Sequence, residues 1–402
     1  MAIRFRVLAF LAFVAVSEGG YRIKPTQHHD PQYLWSANGP DEVSLYRIPL
    51  IAVAPNGDLV AITEGRKING NDMGYKFISQ RSIASEAVLG VYGDQKWSPT
   101  HEEVDDGYTT PSGVILGAIV TDYVTKTMFV VYGECIHDCP TSQTFVVNST
   151  DNGRSWSEPV DISSQVGSDK VAFAAGPGTG IQKMYSPHKG RLVVCGHYHD
   201  IVVGQSLMLT EGFKCIYSDD HGYSWKNGSV IPGLLYNKTK REGDFLPNEC
   251  QPVELPDGNI LLTIRNQYRF HGAARMFALS VDGGETIRYE TFRVAHDLPD
   301  PACAAGMVYV PEYDVLLHSN IISTNRRANL TLSWSYDRGK TWDASNRLVI
   351  WPEGAAYSCM TVIPSEGSPR YVGVLYEQGE TSKADYGYIT FVVYDLNPEK
   401  ID

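Results

Sequence analysis

Long apolar runs are scarce in this chain. Beyond the first 17 residues no stretch reaches about 18 uninterrupted apolar residues, so no later segment reads as a membrane-spanning helix. Segments with a sustained 3.6-residue apolar period are also missing, which argues against a helical architecture. No low-complexity linker divides the 402 residues, so one domain is the plain reading. Positive charge is in deficit: 34 Lys and Arg stand against 46 Asp and Glu, a formal net charge of -12. That balance argues against nucleic acid as the partner, but not against small anions, because a few convergent arginines reverse the field locally. Cysteine is sparse at seven residues, and the odd count leaves at least one thiol unpaired in an oxidising compartment. Gly176-Pro-Gly-Thr-Gly180 lacks the Lys-Ser/Thr ending of a phosphate-binding loop and reads as a turn.

The first residues carry an address. Arg4 and Arg6 precede the apolar run Val7 to Val16, and Ala15-Val16-Ser17 offers small residues for cleavage. A run of about 10 residues suits a signal peptide and is too short to span a bilayer, so residues 1–17 are expected to be one. Sequons at Asn148, Asn227, Asn237 and Asn329 agree with passage through the secretory route and with surface glycans. Cys135 and Cys139 form the best local pair for a disulfide. A zinc site at Cys135, His137 and Cys139 would need a second ligand cluster at finger spacing, and none follows. His197 and His199 flank Tyr198 with no nearby third ligand, so they read as structural or exposed. No metal or other cofactor is expected.

What the chain does contain is a repeat. Ser149-Thr-Asp-Asn-Gly-Arg-Ser-Trp156, Ser218-Asp-Asp-His-Gly-Tyr-Ser-Trp225 and Ser335-Tyr-Asp-Arg-Gly-Lys-Thr-Trp342 share one pattern, and Ser280-Val-Asp-Gly-Gly-Glu-Thr-Ile287 keeps all but the Trp. Each reads as a hairpin turn: Asp bonds nearby amides, Gly supplies a positive φ, and Trp packs back against the sheet. The aspartates recur at roughly 55–70 residues, the length of a four-stranded propeller blade rather than of a helical repeat. These turns lack the ligand spacing and terminal Glu of an EF-hand. Short apolar runs bounded by Gly, Pro, Asn or Asp recur from Tyr46 to Tyr394, among them Leu59-Val-Ala-Ile-Thr63 and Tyr371-Val-Gly-Val-Leu-Tyr376. The expectation is an all-β, six-bladed β-propeller over residues 40–396, with an irregular lead at 18–39 and a tail at 397–402.

A propeller gathers residues from different blades at one end of its axis, so polar residues beside apolar strands are candidates for a shared site. Arg47, Arg66, Asp72, Glu249, Arg265, Arg327, Tyr357 and Glu377 meet that description. With Tyr46-Arg-Ile-Pro49, the repeats, Gly176-Pro-Gly-Thr-Gly-Ile-Gln182, Asn248-Glu-Cys-Gln-Pro252, Arg265-Asn-Gln267 and Leu375-Tyr-Glu377, the chain resembles the sialidases, and most the animal lysosomal ones. The resemblance covers nearly the whole chain after residue 17, and it implies a six-bladed propeller with Asp-box turns. It further implies exo-α-sialidase activity on glycoproteins, oligosaccharides and glycolipids, with retention of configuration. Trans-sialidase action and sialic-acid binding without catalysis are the alternatives.

The resemblance also implies roles. Arg47, Arg265 and Arg327 would clamp the substrate carboxylate, as guanidinium forks do, and Glu377 would brace Arg47. Tyr357 would be the nucleophile, polarised by Glu249; a neutral phenol avoids the repulsion a carboxylate would meet at the anomeric carbon. Asp72 would be the general acid and base, with Arg66 binding substrate beside it. No role follows for Asp105 or Asp106. The lysosome is the implied location, with activity favoured at acid pH and a protective carboxypeptidase as an implied partner, although Val393-Tyr-Asp-Leu-Asn397 lacks the Tyr-x-x-hydrophobic tail of the vertebrate relatives.

Overall fold

The computed structural model describes residues 20–39, 43–90, 96–105, 113–136, 142–168, 171–200, 210–235, 245–269, 271–367, 369–380 and 386–401. The expected signal peptide, Asp106, His137, Cys139 and the Asn237 sequon lie outside the described residues.

Nearly all regular structure is β, and the two α-helices among the described residues are single turns, Ser85–Val88 and Ser163–Val166. The chain forms successive, mainly antiparallel sheets in sequence order. The first holds Leu45–Val53, Leu59–Arg66, Lys76–Ile83 and His101–Asp105. The second is built on Val114–Asp122, Thr127–Glu134, Gln143–Ser149 and Val160–Asp161, and the third on Val171–Ala175, Leu192–Asp200, Thr210–Ser218 and Lys226–Leu235. The fourth holds Pro247–Glu254, Ile260–Asn266, Ala274–Ser280 and Arg293–Pro299. A final eight-stranded sheet turns on one long strand, Arg347–Ile363. Its first part pairs with Ala328–Ser335 and its second part with Tyr371–Gln378.

The architecture is propeller-like. Leu45–Val53 packs against Val114–Asp122, which packs against Leu192–Asp200, then Pro247–Glu254, then Gly306–Val310, then Arg347–Ile363, which returns to Leu45–Val53. The strands lining this ring are apolar on both sides, because each sheet is sandwiched between its neighbours. One core cluster joins Leu50, Ile62, Leu116, Val130, Leu317, Leu330, Tyr357, Met360 and Val374 from the first, second and last sheets.

The lead expected to be irregular is paired into the sheets. Gln32–Ser36 pairs with Tyr388–Asp395, so chain from before residue 40 completes the last sheet, and Tyr21–Arg22 pairs with Glu399–Lys400. Leu34 and Trp35 supply the reason, since both are buried when the ends meet. That closure removes an exposed sheet edge.

The four repeats form the turns that follow the third strand of their sheets. In the first, Ser149 Oγ donates to Asp151 Oδ1 (2.8 Å) and accepts the Gly153 amide (2.8 Å), while Asp151 Oδ1 accepts the Ser155 amide (2.9 Å). Equivalent bonds recur around Asp220, Asp282 and Asp337. Gly153, at φ 80°, occupies the left-handed conformation the turn requires. The tryptophans, however, dock across to the preceding sheet rather than onto their own. Trp156 Nε1 donates to Gln80 (2.9 Å), Trp225 meets Phe129 edge-on at 6.3 Å, and Trp342 stacks on Phe277 at 5.7 Å. Each such aromatic pair contributes about 0.5–1.5 kcal/mol beyond its buried area, so the repeat also fastens one sheet to the next.

Cys195 and Cys215, opposite each other in the third sheet, are disulfide-bonded. Cys135 is disulfide-bonded as well. Cys250, Cys303 and Cys359 are buried free thiols. Among the described sequons Asn227 is exposed, whereas Asn148 and Asn329 are half-buried, with side-chain amides donating to Ser157 Oγ and the Ile322 carbonyl.

Candidate active site

Antiparallel order decides which residues can meet. The start of an innermost strand, the end of the second strand and the start of the third all lie at one rim. Arg47, Glu249 and Tyr357 fall in the innermost strands, Arg66, Arg265 and Glu377 at or near the ends of second strands, and Arg327 just before a third. All seven therefore belong to the same rim.

Local irregularities aim the innermost residues. The ladder between the first two strands slips between Arg47 and Leu50, that of the fourth sheet between Pro247 and Cys250, and that of the last between Ala355 and Ser358. Each slip is a bulge, which turns a side chain out of the regular alternation. In the first bulge Ile48 takes φ 59°, costly for a β-branched residue, and Pro49 has no amide to lose from the ladder. In the fourth sheet the Cys250 amide donates to the Gly176 carbonyl (3.2 Å), so the Gly176-Pro-Gly turn supports the strand that carries Glu249. Gly176 leaves no room for a side chain, since a Cβ there would sit 2.6 Å from the Gly117 carbonyl oxygen.

The centre of the cluster is the Tyr357 hydroxyl. It donates to Glu249 Oε1 and accepts from Arg265 Nη1 at 3.0 Å, while that same nitrogen donates to Glu249 Oε2 at 2.8 Å. Arg47 and Arg327 place their guanidinium carbons 5.4 Å from the Tyr357 ring centroid. Glu377, fully buried, accepts from Arg47 Nε (2.6 Å), the Ile48 amide (2.9 Å) and the Tyr357 amide (3.1 Å). Three guanidinium groups and two carboxylates thus leave one net positive charge, inside a chain of net charge -12. That is a local field for an anion.

The electrostatics separate the two partners of the central bond. Burial and the Glu249 charge push the Tyr357 phenol well above its ordinary value, against Arg265 and Arg327. Burial also opposes ionisation of Glu249, yet Arg265, His197 and the Tyr357 hydrogen bond together hold it below the usual glutamate value. The phenol keeps its proton and the carboxylate stays ready to accept it. The arrangement can activate an oxygen nucleophile at the moment of attack.

Asp72 lies on the loop after the second strand. Its carboxylate is 2.9 Å from Arg66 Nη2, and its side chain is 69% exposed. Buried Glu64 accepts from Arg66 Nε (2.8 Å) and from the Leu116 amide (3.1 Å), and Lys76 Nζ donates to the Asp72 carbonyl (2.6 Å). An exposed acid on a loop pinned by its own backbone suits proton exchange with a departing group. Asp105 accepts from the hydroxyl of Tyr75 (2.6 Å), which immediately precedes the neighbouring strand Lys76–Ile83. Of the two adjacent arginines, Arg326 is exposed and Arg327 points inward.

Two residues here, Tyr386 and Glu211, escape a reading of the sequence. Tyr386 stacks under Arg47 at 4.7 Å and interacts with Arg327. Glu211 is buried beside Arg265 and Glu249, and burial raises its pKa. Of the two histidines read as structural or exposed, His197 interacts with Glu249, while His199 is structural, its Nε2 bonded to the Ile136 carbonyl at 2.9 Å. No pattern marks Tyr386 or Glu211 beyond their place near strand ends.

Comparison with known proteins adds the family. A model described as BNR repeat-like domain matches residues 57–372. A sialidase of Micromonospora viridifaciens is 31% identical over 371 residues, covering 86% of this chain and 51% of that protein. The chain thus spans about half the length of that relative. Sialidase-2 of Mus musculus is 26% identical over 381 residues, covering 88% of this chain and 93% of its own. Among solved structures, Hadza microbial sialidase Hz136 matches with a TM-score of 0.70 and 26% identity over 91% of this chain and 68% of that one.

Proposed function

Because the chain belongs to the sialidase family through its BNR repeat-like domain, we propose that it is an exo-α-sialidase that removes terminal sialic acid from glycans with retention of configuration. The observation that carries the reading is the Tyr357 hydroxyl held between Glu249 and Arg265, with Arg47 and Arg327 beside its ring. The three arginines take the substrate carboxylate, and Arg66 binds substrate beside Asp72. The Tyr357 oxygen attacks the anomeric carbon and passes its proton to Glu249, while Asp72 protonates the departing glycosidic oxygen. Asp72 then takes a proton from water, the water oxygen attacks the face that the glycosidic oxygen left, opposite Tyr357, and displaces it, and Glu249 returns the proton to the phenol. Two inversions give net retention.

A six-bladed count is part of the same reading. The two halves of Arg347–Ile363 pair with different strands, which supports dividing the eight-stranded sheet into two blades. Passage through the secretory route to an acidic lysosome, with a glycan on exposed Asn227, extends the reading to the cell. Association with a protective carboxypeptidase goes with that location and is tested by co-purification.

The test is hydrolysis of a fluorogenic α-sialoside by the purified protein and by Tyr357→Phe. The exchange removes one hydroxyl and leaves the 2.8 Å Arg265–Glu249 pair intact, so the fold should persist. Loss of a nucleophile held by a positioned base should lower kcat by at least about 100-fold. Full activity in Tyr357→Phe would sink the nucleophile assignment. With excess galactoside acceptor, product analysis distinguishes hydrolysis from sugar transfer.

A further inference from the structure

Asp300 stands behind the cluster, in the segment that carries the chain from strand Arg293–Pro299 to strand Gly306–Val310. It is 1% exposed. Its Oδ1 accepts the Ala302 and Cys303 amides, each at 2.9 Å. Its Oδ2 lies 3.5 Å from Arg275 Nη1 and 3.3 Å from Asn320 Nδ2. Arg275 is itself fully buried, donates from Nε to Thr263 Oγ1 (2.8 Å) and from Nη1 to the Cys303 carbonyl, and so grips the turn at two points. Thr263 in turn meets His318 Nε2 at 2.8 Å in the next sheet.

This polar group encloses a strained residue. Ala302 has φ 71°, a left-handed conformation that a non-glycine residue adopts only when its surroundings impose it. In that conformation its carbonyl accepts from Arg327 Nη2 at 3.4 Å. A buried aspartate and a buried arginine are costly to desolvate, and such a pair by itself contributes little net stability. Asp300 is, however, linked to an arginine of the site through the single residue Ala302.

We propose that Asp300 is a positioning residue for Arg327: it caps the Ala302 turn, and the Ala302 carbonyl holds one guanidinium nitrogen so that the others face the substrate carboxylate. Arg275 and Asn320 keep the cap in place from two different strands. The inference rests on Arg327 being a carboxylate ligand in a sialoside site.

Three readouts test it on the full-length protein. The first is a crystal structure of Asp300→Ala, where Arg327 should leave its position beside the Tyr357 ring; an unmoved Arg327 overturns the inference whatever the activity. The second is binding of sialic acid and of its methyl ester. Loss of a bond to a charged group should weaken the acid by about 10-fold in Asp300→Ala and leave the ester unchanged. Equal weakening of both would mean a merely structural role. The third is the Arg327→Ala background, in which Asp300→Ala should change acid binding no further; an additive loss overturns the coupling. Adding Ala302→Gly to Asp300→Ala should recover part of the affinity, because glycine holds the positive φ without the cap. If Asp300→Ala does not fold, Asp300→Asn keeps an acceptor for the two amides and should show the same acid-over-ester selectivity at about threefold. Wild-type protein that binds neither ligand refutes the sialoside reading, separately from the Arg327 position.

Discussion

Replacing Glu377 by Gln should destabilise the protein and disable substrate binding together. Three donors converge on this buried carboxylate: Arg47 Nε at 2.6 Å and the Ile48 amide at 2.9 Å on one oxygen, and the Tyr357 amide at 3.1 Å on the other. A glutamine has one oxygen and one NH2 group. With its oxygen toward Arg47, the NH2 faces the Tyr357 amide; with its oxygen toward Tyr357, the NH2 faces Arg47 and Ile48. Either orientation leaves at least one buried donor unsatisfied, worth about 1–3 kcal/mol. It also leaves Arg47 buried without its counter-ion, and breaking a buried pair from one side costs about 3–5 kcal/mol. The two costs overlap, so the expected loss is the larger, about 3–5 kcal/mol. Ile48 adds to it, because its φ of 59° is held by the hydrogen bond its amide donates to Glu377. Urea unfolding followed by tryptophan fluorescence measures the loss, and sialoside kinetics should show KM raised about 10-fold or more as Arg47 loses alignment. A stability change below about 1 kcal/mol with KM unchanged would refute the claim that Glu377 holds the clamp together.

The remaining predictions concern protons. Asp72→Asn should slow cleavage of a natural glycan by about 100-fold or more, yet slow an activated fluorogenic sialoside far less, since a good leaving group needs no acid; equal losses on both substrates would remove Asp72 from the acid role. The repeat turns should resist acid. Hydrogen bonds, first from the Ser155 hydroxyl, lower the Asp151 pKa to about 2, and at Asp220, Asp282 and Asp337 similar bonds outweigh burial to lower it as well. Their folded values lie below the ordinary 3.8, so the turns' contribution is fully present above that value and is lost as pH falls through the folded values. Thermal stability between pH 7 and pH 4.5 should therefore owe no decline to the turns, and Asp337→Asn should flatten the dependence seen below pH 4. An unchanged acid profile in Asp337→Asn would show that these carboxylates are not linked to folding.

What could be read from the sequence was local. The repeat turn closes its bonds within seven residues, from Ser149 to Ser155 for example, so the pattern predicts its own geometry. An arginine at the end of an apolar strand is also visible, which is why Arg66 and Arg265 stood out. Contacts between distant segments were hidden. Nothing near Trp225 announces that its partner is Phe129 in the previous sheet, and nothing near Leu34 announces Tyr388–Asp395. Asp300 and Arg275 look like ordinary surface charges until a buried turn is found between them.

The site also explains why its own strands read poorly. A regular ladder satisfies every amide and alternates every side chain, which leaves no freedom to aim a residue inward. Arg47, Glu249 and Tyr357 each lie where that ladder slips. Every slip frees backbone groups that must be satisfied from elsewhere. Glu377 accepts the Ile48 and Tyr357 amides at two of the slips, and the Gly176 carbonyl accepts the Cys250 amide at the third. The acid that orients Arg47 is thus the acid that permits its strand, and that of Tyr357, to depart from regularity. Binding geometry and backbone repair at these two strands are one arrangement, so a substitution at Glu377 cannot separate them, whereas Tyr357→Phe leaves the repair intact and removes only the chemistry.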